Sequence, residues 1–461
     1  MYTMTMKKRH LAVLLTATVP ICLLLLCCMT VTAAAEEVRN APEIINVRDY
    51  GATGDSVTDD TSAILAAVAE LQDGDTLYFP AGTYLLRQYG IPSVILIQDK
   101  KDIRIELDDG ATLQMDTVPD GSTGTETRHY IFHLLRCENV ILMGGRLLGD
   151  LYTYNGLTSV QHGYAIRLAD CRTVTVRDVE IAFMRGDGIS IFSDTNDENG
   201  LRGRCYDITI ENCRIHECRR NGITLTFVDG CTIRDTVIHD IFGTMPQAAI
   251  DIEAEYLGSK NSHVRIENCH FYRNGSWSLS VAGEAEDLTV VSTRCEDRIT
   301  VSEKTKGLVF QDCELEKVGI RSEGTVFRGC QLDALILYDG EVTCTDCEFD
   351  GKGAIPYRVL VTKSTGTAKA TFQNCIFRGR GLSALGGCLV FCHTPPASLT
   401  FTDCRFESCG LFPFFGSPIN VEREGCSFRP GWALWLCIIA CVSLVAFLII
   451  RHKRRRVWVC R

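Results

Sequence analysis

The sequence predicts an all-β chain wound as a single-stranded right-handed parallel β-helix, with an N-terminal capping helix and, after it, a C-terminal transmembrane helix. Three features predict this: a short strand phrase that recurs along the chain, one lone amphipathic helix near its start, and an uncharged run at 431–450.

The elements follow in order. Lys7, Lys8, Arg9 and His10 precede an apolar run from Leu11 to Met29, and the small residues Ala33, Ala34 and Ala35 close it. Basic, apolar, then small is the order of a secretory signal peptide, so 1–35 is assigned to one. At the other end, 431–450 carries no charge and would span about 30 Å as a helix, the thickness of a bilayer core. Trp432 and Trp435 stand at one edge of this run, and Arg451, Lys453, Arg454, Arg455 and Arg456 follow the other. Basic residues stay on the cytoplasmic side, which places the body outside the cell membrane, held by a single pass, with 451–461 as a basic cytoplasmic tail. The formal net charge of -10 argues against nucleic acid as a partner.

Between the ends one phrase recurs: ITIENCRI (208–215), VRIENCHF (264–271), LVFQDCEL (308–315), TVFRGCQL (325–332), VTCTDCEF (342–349), ATFQNCIF (370–377) and LTFTDCRF (399–406). Alternation of period two marks a strand, and the Asn, Asp or Gly before each Cys marks a bend. The last five copies return every 17 to 29 residues without helices between them, which fits stacked coils and excludes doubly wound α/β folds. Cys213, Cys269, Cys313, Cys330, Cys347, Cys375 and Cys404 share one position of the phrase and are expected to form an interior column of small apolar thiols. Cys388 with Cys392, and Cys404 with Cys409, are close enough in sequence to be considered as disulfides. On this basis 36–85 forms the N-terminal cap and first coil, and 86–424 the β-helix.

The start of the body reads INVRDYGATGDSVTDDTSAILAAVAELQDGDTLYFPAGTYLL (45–86). A helix is expected at 61–71, with Asp59 and Asp60 placed to cap it. DYGATGD, TDDT, FPAG and TY resemble the N-terminal cap of the pectate-lyase superfamily of β-helix proteins. That resemblance extends through the coil repeats to about residue 420, and it implies the fold. It leaves activity open, because the superfamily holds hydrolases, lyases, epimerases, depolymerases and inactive members.

Aligned by their inward residues, FHLL (132–135), IRLA (166–169), ISIF (189–192), ITLT (223–226), IDIE (250–253) and LSVA (279–282) give a map of one face. One outward column reads His133, Arg167, Ser190, Thr224, Asp251, Ser280; Glu253 lies in the next column, and Tyr164, Asp187, Asn221 and Trp277 just before. Carboxylates, arginines and aromatic rings on one face are the parts of a sugar-binding groove. RGDGISI, CRRNGITL and QAAIDIEAE resemble stretches of carbohydrate-active β-helix proteins and imply where the groove lies. The polygalacturonase set is incomplete: Thr195, Asn196 and Asp197 fall in a loop, Asp187 is followed by Gly188, and no Gly-His-Gly occurs.

The leading reading is therefore a membrane-anchored polysaccharide glycoside hydrolase with Asp251 and Glu253 as acid and base and Asp187 assisting. Arg185, Arg219, Arg220, Asn221, Tyr164, Arg167 and Trp277 would hold the sugar. Two alternatives stand beside it: a non-catalytic glycan-binding or spacer protein, and a uronate lyase or epimerase. Whether the chain is an enzyme at all is left open by the residues. No cofactor or metal is assigned, although a lyase would bring calcium, for which the loop at 194–200 has the spacing but lacks a later bidentate Glu. The expected partners are a polysaccharide and the membrane, with the protein itself a monomer. After about residue 284 the outward residues read as bland, and this half is expected to be a stalk.

Overall fold

The computed structural model describes residues 41–88, 93–117, 129–153, 162–194, 203–254, 259–351, 357–361, 368–379, 389–392, 397–409, 414–416, 420–430 and 438–449. The chain divides into two compact units, Met1–Pro42 and Glu43–Arg461, and the second carries all that follows. The expected signal peptide, the basic tail and residues 431–437 of the expected membrane span lie outside the described residues.

All strand pairs along the coils are parallel. A complete coil carries three strands, as in Cys205–Glu211, Arg214–His216 and Asn221–Leu225. The first strand of each coil builds a 16-stranded sheet, fifteen of whose members follow one another coil by coil. The second and third strands build two further ladders, joined through long strands such as Glu314–Ile320, which pairs with both. We refer to these as the first, second and third faces. The strands run from Ile44–Asn46, within the expected cap and first coil, to Ser427–Pro430.

Register explains the repeated phrase. Its apolar positions, such as Ile208 and Ile210, point inward and are buried, and those between point out. The residue before the Cys of the phrase, and before Val179, Thr236 and Thr293 where they take its place, turns the chain with a positive φ. Down the column these are Asp178, Asn212, Asp235, Asn268, Ser292, Asp312, Gly329, Asp346, Asn374, Asp403 and Gly425. Asn, Asp and Gly tolerate that left-handed conformation best, which accounts for their place in the phrase. No two Asp are adjacent in this column. Where Asn stands beside Asp, its amide donates to the neighbouring carboxylate at 2.6 Å, as for Asn212–Asp178, Asn268–Asp235 and Asn374–Asp346. The cysteines that follow are free, all of them buried except the half-buried Cys426, and each thiol reaches the carbonyl two residues back, as Cys375 Sγ does to Gln373 at 3.3 Å. Cys404 is a free buried thiol, so its suggested pairing with Cys409 is not made; Cys388 lies outside the described residues. Phenylalanines stack in the same way: Phe349, Phe377, Phe406 and Phe428 have successive ring centroids 4.6, 4.9 and 4.8 Å apart.

The helix near the start runs Thr61–Ala69, two residues shorter than expected, and buries Thr61, Ile64 and Ala67. Asp60 gives it no side-chain cap. Its carboxylate instead accepts the backbone amides of Thr53 at 2.7 Å and Gly54 at 3.1 Å, so the DYGATGD turn is tied to the helix start. Asp59 accepts the Thr61 amide at 3.1 Å. Residues 438–449 are helical, and every one is exposed. Among the described residues no helix is long and apolar enough to cross a membrane.

The alternating Asp/Asn column predicts the effect of one substitution. Asn374→Asp would set three carboxylates in a row between Asp346 and Asp403, replacing an amide–carboxylate hydrogen bond with two repulsions. We expect a loss of about 1–2 kcal/mol at pH 7, read by urea unfolding.

Candidate functional site

The outward column read from the sequence is present in register on the third face. His133 pairs with Arg167, Arg167 with Ser190, Ser190 with Thr224, Thr224 with Asp251, and Asp251 with Ser280. Ile250 and Ile252, on either side of Asp251, are wholly buried, so the strand cannot turn its carboxylate elsewhere.

The column gathers Asp187, Arg220, Asn221, Asp251 and Glu253 as one network. Arg220 follows the second-face strand Arg214–His216 and lies across the column. Its Nη1 meets Asp187 Oδ2 at 3.0 Å, and its Nη2 meets both Glu253 oxygens at 3.1 and 3.2 Å. Asp187 is fully buried and also accepts the Asn221 amide at 3.1 Å and the Thr224 hydroxyl at 2.8 Å. Burial pushes its carboxyl above the usual range, against the pull of Arg220 and Thr224. Asn221 joins the two ends of the network, since its Nδ2 donates to Thr224 at 3.0 Å and to Asp251 Oδ2 at 3.3 Å.

Asp251 is the exception among these acids. It is 1% exposed, and its Oδ1 has no hydrogen-bond partner among the described residues. Burial, and then the Glu253 charge, push its carboxyl up to about 7; Ser280 and Arg220 oppose the shift only in part. A carboxyl so placed is half protonated near neutrality, able to give or accept a proton. Glu253 beside it is held by a guanidinium and keeps 17% of its side chain exposed, with Arg220 at 13%. The solvent edge of the network is therefore the Arg220–Glu253 pair, and Asp251 lies beneath.

The other expected sugar-holding arginines face internal acids. Arg185 pairs with Asp150 at 2.8 Å with both side chains buried. Arg167 makes a two-pronged contact with Asp194 at 2.5 and 3.2 Å, and His133 joins the same carboxylate at 3.1 Å. Its guanidinium also lies over the rings of Tyr130 and Phe192, 5.1 and 4.7 Å from their centroids. A buried guanidinium requires such partners, because an unpaired charge out of water is far costlier than a paired one. The open groove expected from the sequence is thus, at these positions, a face closed by its own side chains. Arg219 differs. It is half-buried, its stem runs under Gly243, and no ion pair is formed by it among the described residues. Tyr164 stacks on Tyr130 at 5.3 Å, with its hydroxyl 2.7 Å from His162 Nδ1, and Trp277 is in register with Ala248 beside Asn221.

Asp150 and Asp194, the counter-charges, were not singled out by sequence as partners of these arginines. Neither lies within a strand, so period-two alignment does not place them. Asp194, read with the calcium-like loop, has its carboxylate committed to Arg167 and His133, and 195–200 lie outside the described residues. Among the described residues no group of three or more acids, histidines or cysteines is arranged to hold a metal ion. The later coils also differ from the expected bland stalk. Their second face has a concavity of about 380 Å³ lined by Glu296, Glu314, Glu316, Asp333 and Asp350 together with Arg294. These acids arrive one or two per coil, so no local motif announces them.

Comparison with known proteins bears on the fold. A family profile described as right handed beta helix region matches residues 152–355. The uncharacterized protein YclG of Bacillus subtilis is 29% identical over 259 residues, covering 51% of this chain and 43% of that protein. Mannuronan C5-epimerase AlgE2 of Azotobacter vinelandii is 31% identical over 187 residues, 36% of this chain and 18% of the epimerase. The chain thus spans less than half the length of these curated relatives. Among solved structures, the A-module of mannuronan C-5 epimerase AlgE6 from Azotobacter vinelandii matches with a TM-score of 0.53 at 15% identity, over 84% of this chain and 99% of the module. The N-terminal fragment of bacteriophage phi29 gene product 12 gives 0.55 at 15% identity, over 84% and 72%. Coil register, the family profile and these structures agree that the chain is a right-handed parallel β-helix of pectate-lyase-like fold.

Proposed function

We propose that this chain is a polysaccharide-active β-helix protein, held at a membrane by its C-terminal helix, in which Asp251 transfers the proton. The observation that carries the reading is the Asp251 carboxyl itself: buried, without a partner at Oδ1, and raised to about 7 beside an acid clamped by Arg220. Two acids whose surroundings differ in this way divide acid and base roles between them. In hydrolysis, neutral Asp251 would protonate the glycosidic oxygen, and Glu253, held by Arg220, would activate water. Their backbones are two residues apart at the end of one strand, about 6.7 Å if extended, nearer the spacing of inverting enzymes than of retaining ones.

A second reading, epimerisation or lyase cleavage at a uronate, is favoured by the named mannuronan C5-epimerases among the relatives. Here a proton leaves C5 of the sugar and the substrate carboxylate must be neutralised. Arg219, half-buried and without an ion pair among the described residues, is the group suited to that role. Anchoring rests on different support. Residues 438–449 form an apolar helix exposed on every side, within an uncharged run at 431–450 that leads into Arg451 and four further basic residues.

Incubation of the purified chain with mannuronan, polygalacturonate and neutral glucans separates the chemistries. Hydrolysis releases reducing ends alone, a lyase yields ultraviolet-absorbing unsaturated ends, and an epimerase incorporates deuterium from heavy water without cleavage. None of the three would overturn the enzymatic reading. Asp251→Asn should lower whichever activity is found at least about 100-fold. As a general acid, Asp251 must hold its proton, so hydrolysis should fall as the pH rises through about 7.

The same carboxyl should oppose folding at alkaline pH. Its folded value lies above the unfolded one, so its favourable contribution is complete at low pH and lost as the pH rises toward 7. Asp251→Asn is therefore expected to raise stability by about 2 kcal/mol at pH 8 and to change it little at pH 4, read by urea unfolding. For the anchor, the full chain should stay in the membrane fraction through a high-salt wash, whereas a chain ending at residue 430 should not. Equal release of both would overturn the anchoring.

A further inference from the structure

Among the described residues, the large apolar side chains exposed on the body of the coils are Leu96, Tyr152, Phe242 and Met245; Ile44, Val57 and Phe428 belong to the first two strands and the last. Three of those four stand on a single ridge, formed by the turns between the second and third faces. Tyr152, Phe242 and Met245 are 63%, 44% and 54% exposed. Scattered apolar residues on a surface need no explanation, but their concentration on one ridge does.

The ridge is built from several coils. Tyr152 follows the strand Arg146–Leu148, and its ring lies 5.7 Å from that of Phe183 in the next coil. Its hydroxyl reaches on to Glu217 at 3.5 Å. Phe242 and Met245 belong to the turn between Val237–His239 and Ala248–Ile252, the strand that carries Asp251. The Met245 sulfur meets the Ser276 hydroxyl at 3.5 Å, next to Trp277 in the following coil. Gly243 lies close over the Arg219 stem, nearer than a Cβ there would allow, which brings that guanidinium's turn against the ridge. Arg220, the next residue, forms the solvent edge of the Asp251 network. The ridge and the acid network are thus continuous through two neighbouring residues.

We propose that this ridge is the binding track for the polysaccharide chain, with pyranose faces lying on Tyr152, Phe242, Met245 and Trp277. The inference rests on the polysaccharide reading of the Asp251 site. Tyr152 stands three coils before the turn of Phe242 and Met245, with Phe183 in the coil after it, and Trp277 stands one coil beyond, so the ridge runs about 20 Å along the axis, suited to an extended chain of rings and poorly suited to one small sugar. The track brings a bound chain past Arg220 and Glu253, the members of the network that reach solvent. It also explains why so much apolar surface is exposed beside a face whose charges are buried.

The test uses the full chain carrying Asp251→Asn, so that the polymer is bound without turnover, and measures mannuronan, polygalacturonate and neutral glucan by calorimetry and by retardation in polymer-containing gels. Adding Tyr152→Ala, Phe242→Ala and Met245→Ala together should weaken the bound polymer at least tenfold while leaving the melting temperature unchanged. Tyr152→Phe with Phe242→Tyr, which keeps the rings, should restore binding to within about twofold of the Asp251→Asn chain. Undiminished binding by the triple variant would overturn the track while leaving the polysaccharide reading intact. Failure of wild-type and Asp251→Asn chains alike to bind any polymer would overturn the polysaccharide reading and the track with it.

Discussion

Parallel stacking in register is the constraint on which the rest of this molecule depends. Each residue lies on its counterpart in the next coil at the strand spacing of about 4.8 Å, so every column must be a set of side chains that tolerate one another at close range. Phenyl rings satisfy this by stacking, as from Phe349 to Phe428. Thiols satisfy it by being small and by turning their weak donors to nearby carbonyls. In the earlier coils Thr alternates with Cys in the same column, and the Thr236 and Thr293 hydroxyls accept the amides of Cys213 and Cys269 at 3.3 Å. Carboxylates do not tolerate their own kind, and the bend column interleaves them with Asn, Ser and Gly.

The same constraint shapes the candidate site. Its outward column is buried, so each charge there needs an opposite charge within reach. Arg167 has Asp194, Arg185 has Asp150, and Arg220 spans Asp187 and Glu253. Asp251 stands outside this scheme. Its column neighbours are Thr224 and Ser280, and the nearest acid, Glu253, adds to the difficulty of ionising it. A threonine or serine, the residues used one coil away on either side, would fit without that penalty. A carboxyl kept where a hydroxyl would be more stable is the pattern of a group retained for its protonation chemistry.

The column His133, Arg167, Ser190, Thr224, Asp251, Ser280 was legible in the sequence because alternation of period two leaves only one assignment of inward and outward residues. The positions just before it were legible for the same reason as far as Asn221 and Trp277. What the arginines do was not legible. Their partners come from strand ends and from turns of unequal length, four residues at 217–220 and eight at 240–247, and alternation says nothing about how a side chain crosses between coils. Asp60 was placed correctly beside the helix, yet its carboxylate serves the turn at Thr53 and Gly54, since two backbone amides there outcompete the cap. The acidic concavity of the later coils was missed because Arg294, Glu314 and Gln331 are brought side by side by register, while 20 and 17 residues separate each from the next in sequence.

Register also decides how firmly the proposed chemistry is held. Asp251 and Glu253 lie two residues apart across one strand-end whose flanking isoleucines are fully buried, so their spacing is set by backbone geometry and core packing. Arg220 is fixed at both ends, by Asp187 in the coil before and Glu253 in the coil after, and therefore cannot follow a substrate without breaking an ion pair. A bound anion that drew Arg220 away would remove the one charge that lowers the Asp251 carboxyl, and would leave Glu253 to raise it further. Contact with an anionic substrate at the solvent edge would in this way strengthen the hold of Asp251 on its proton, which disfavours its use as a base toward an acidic chain.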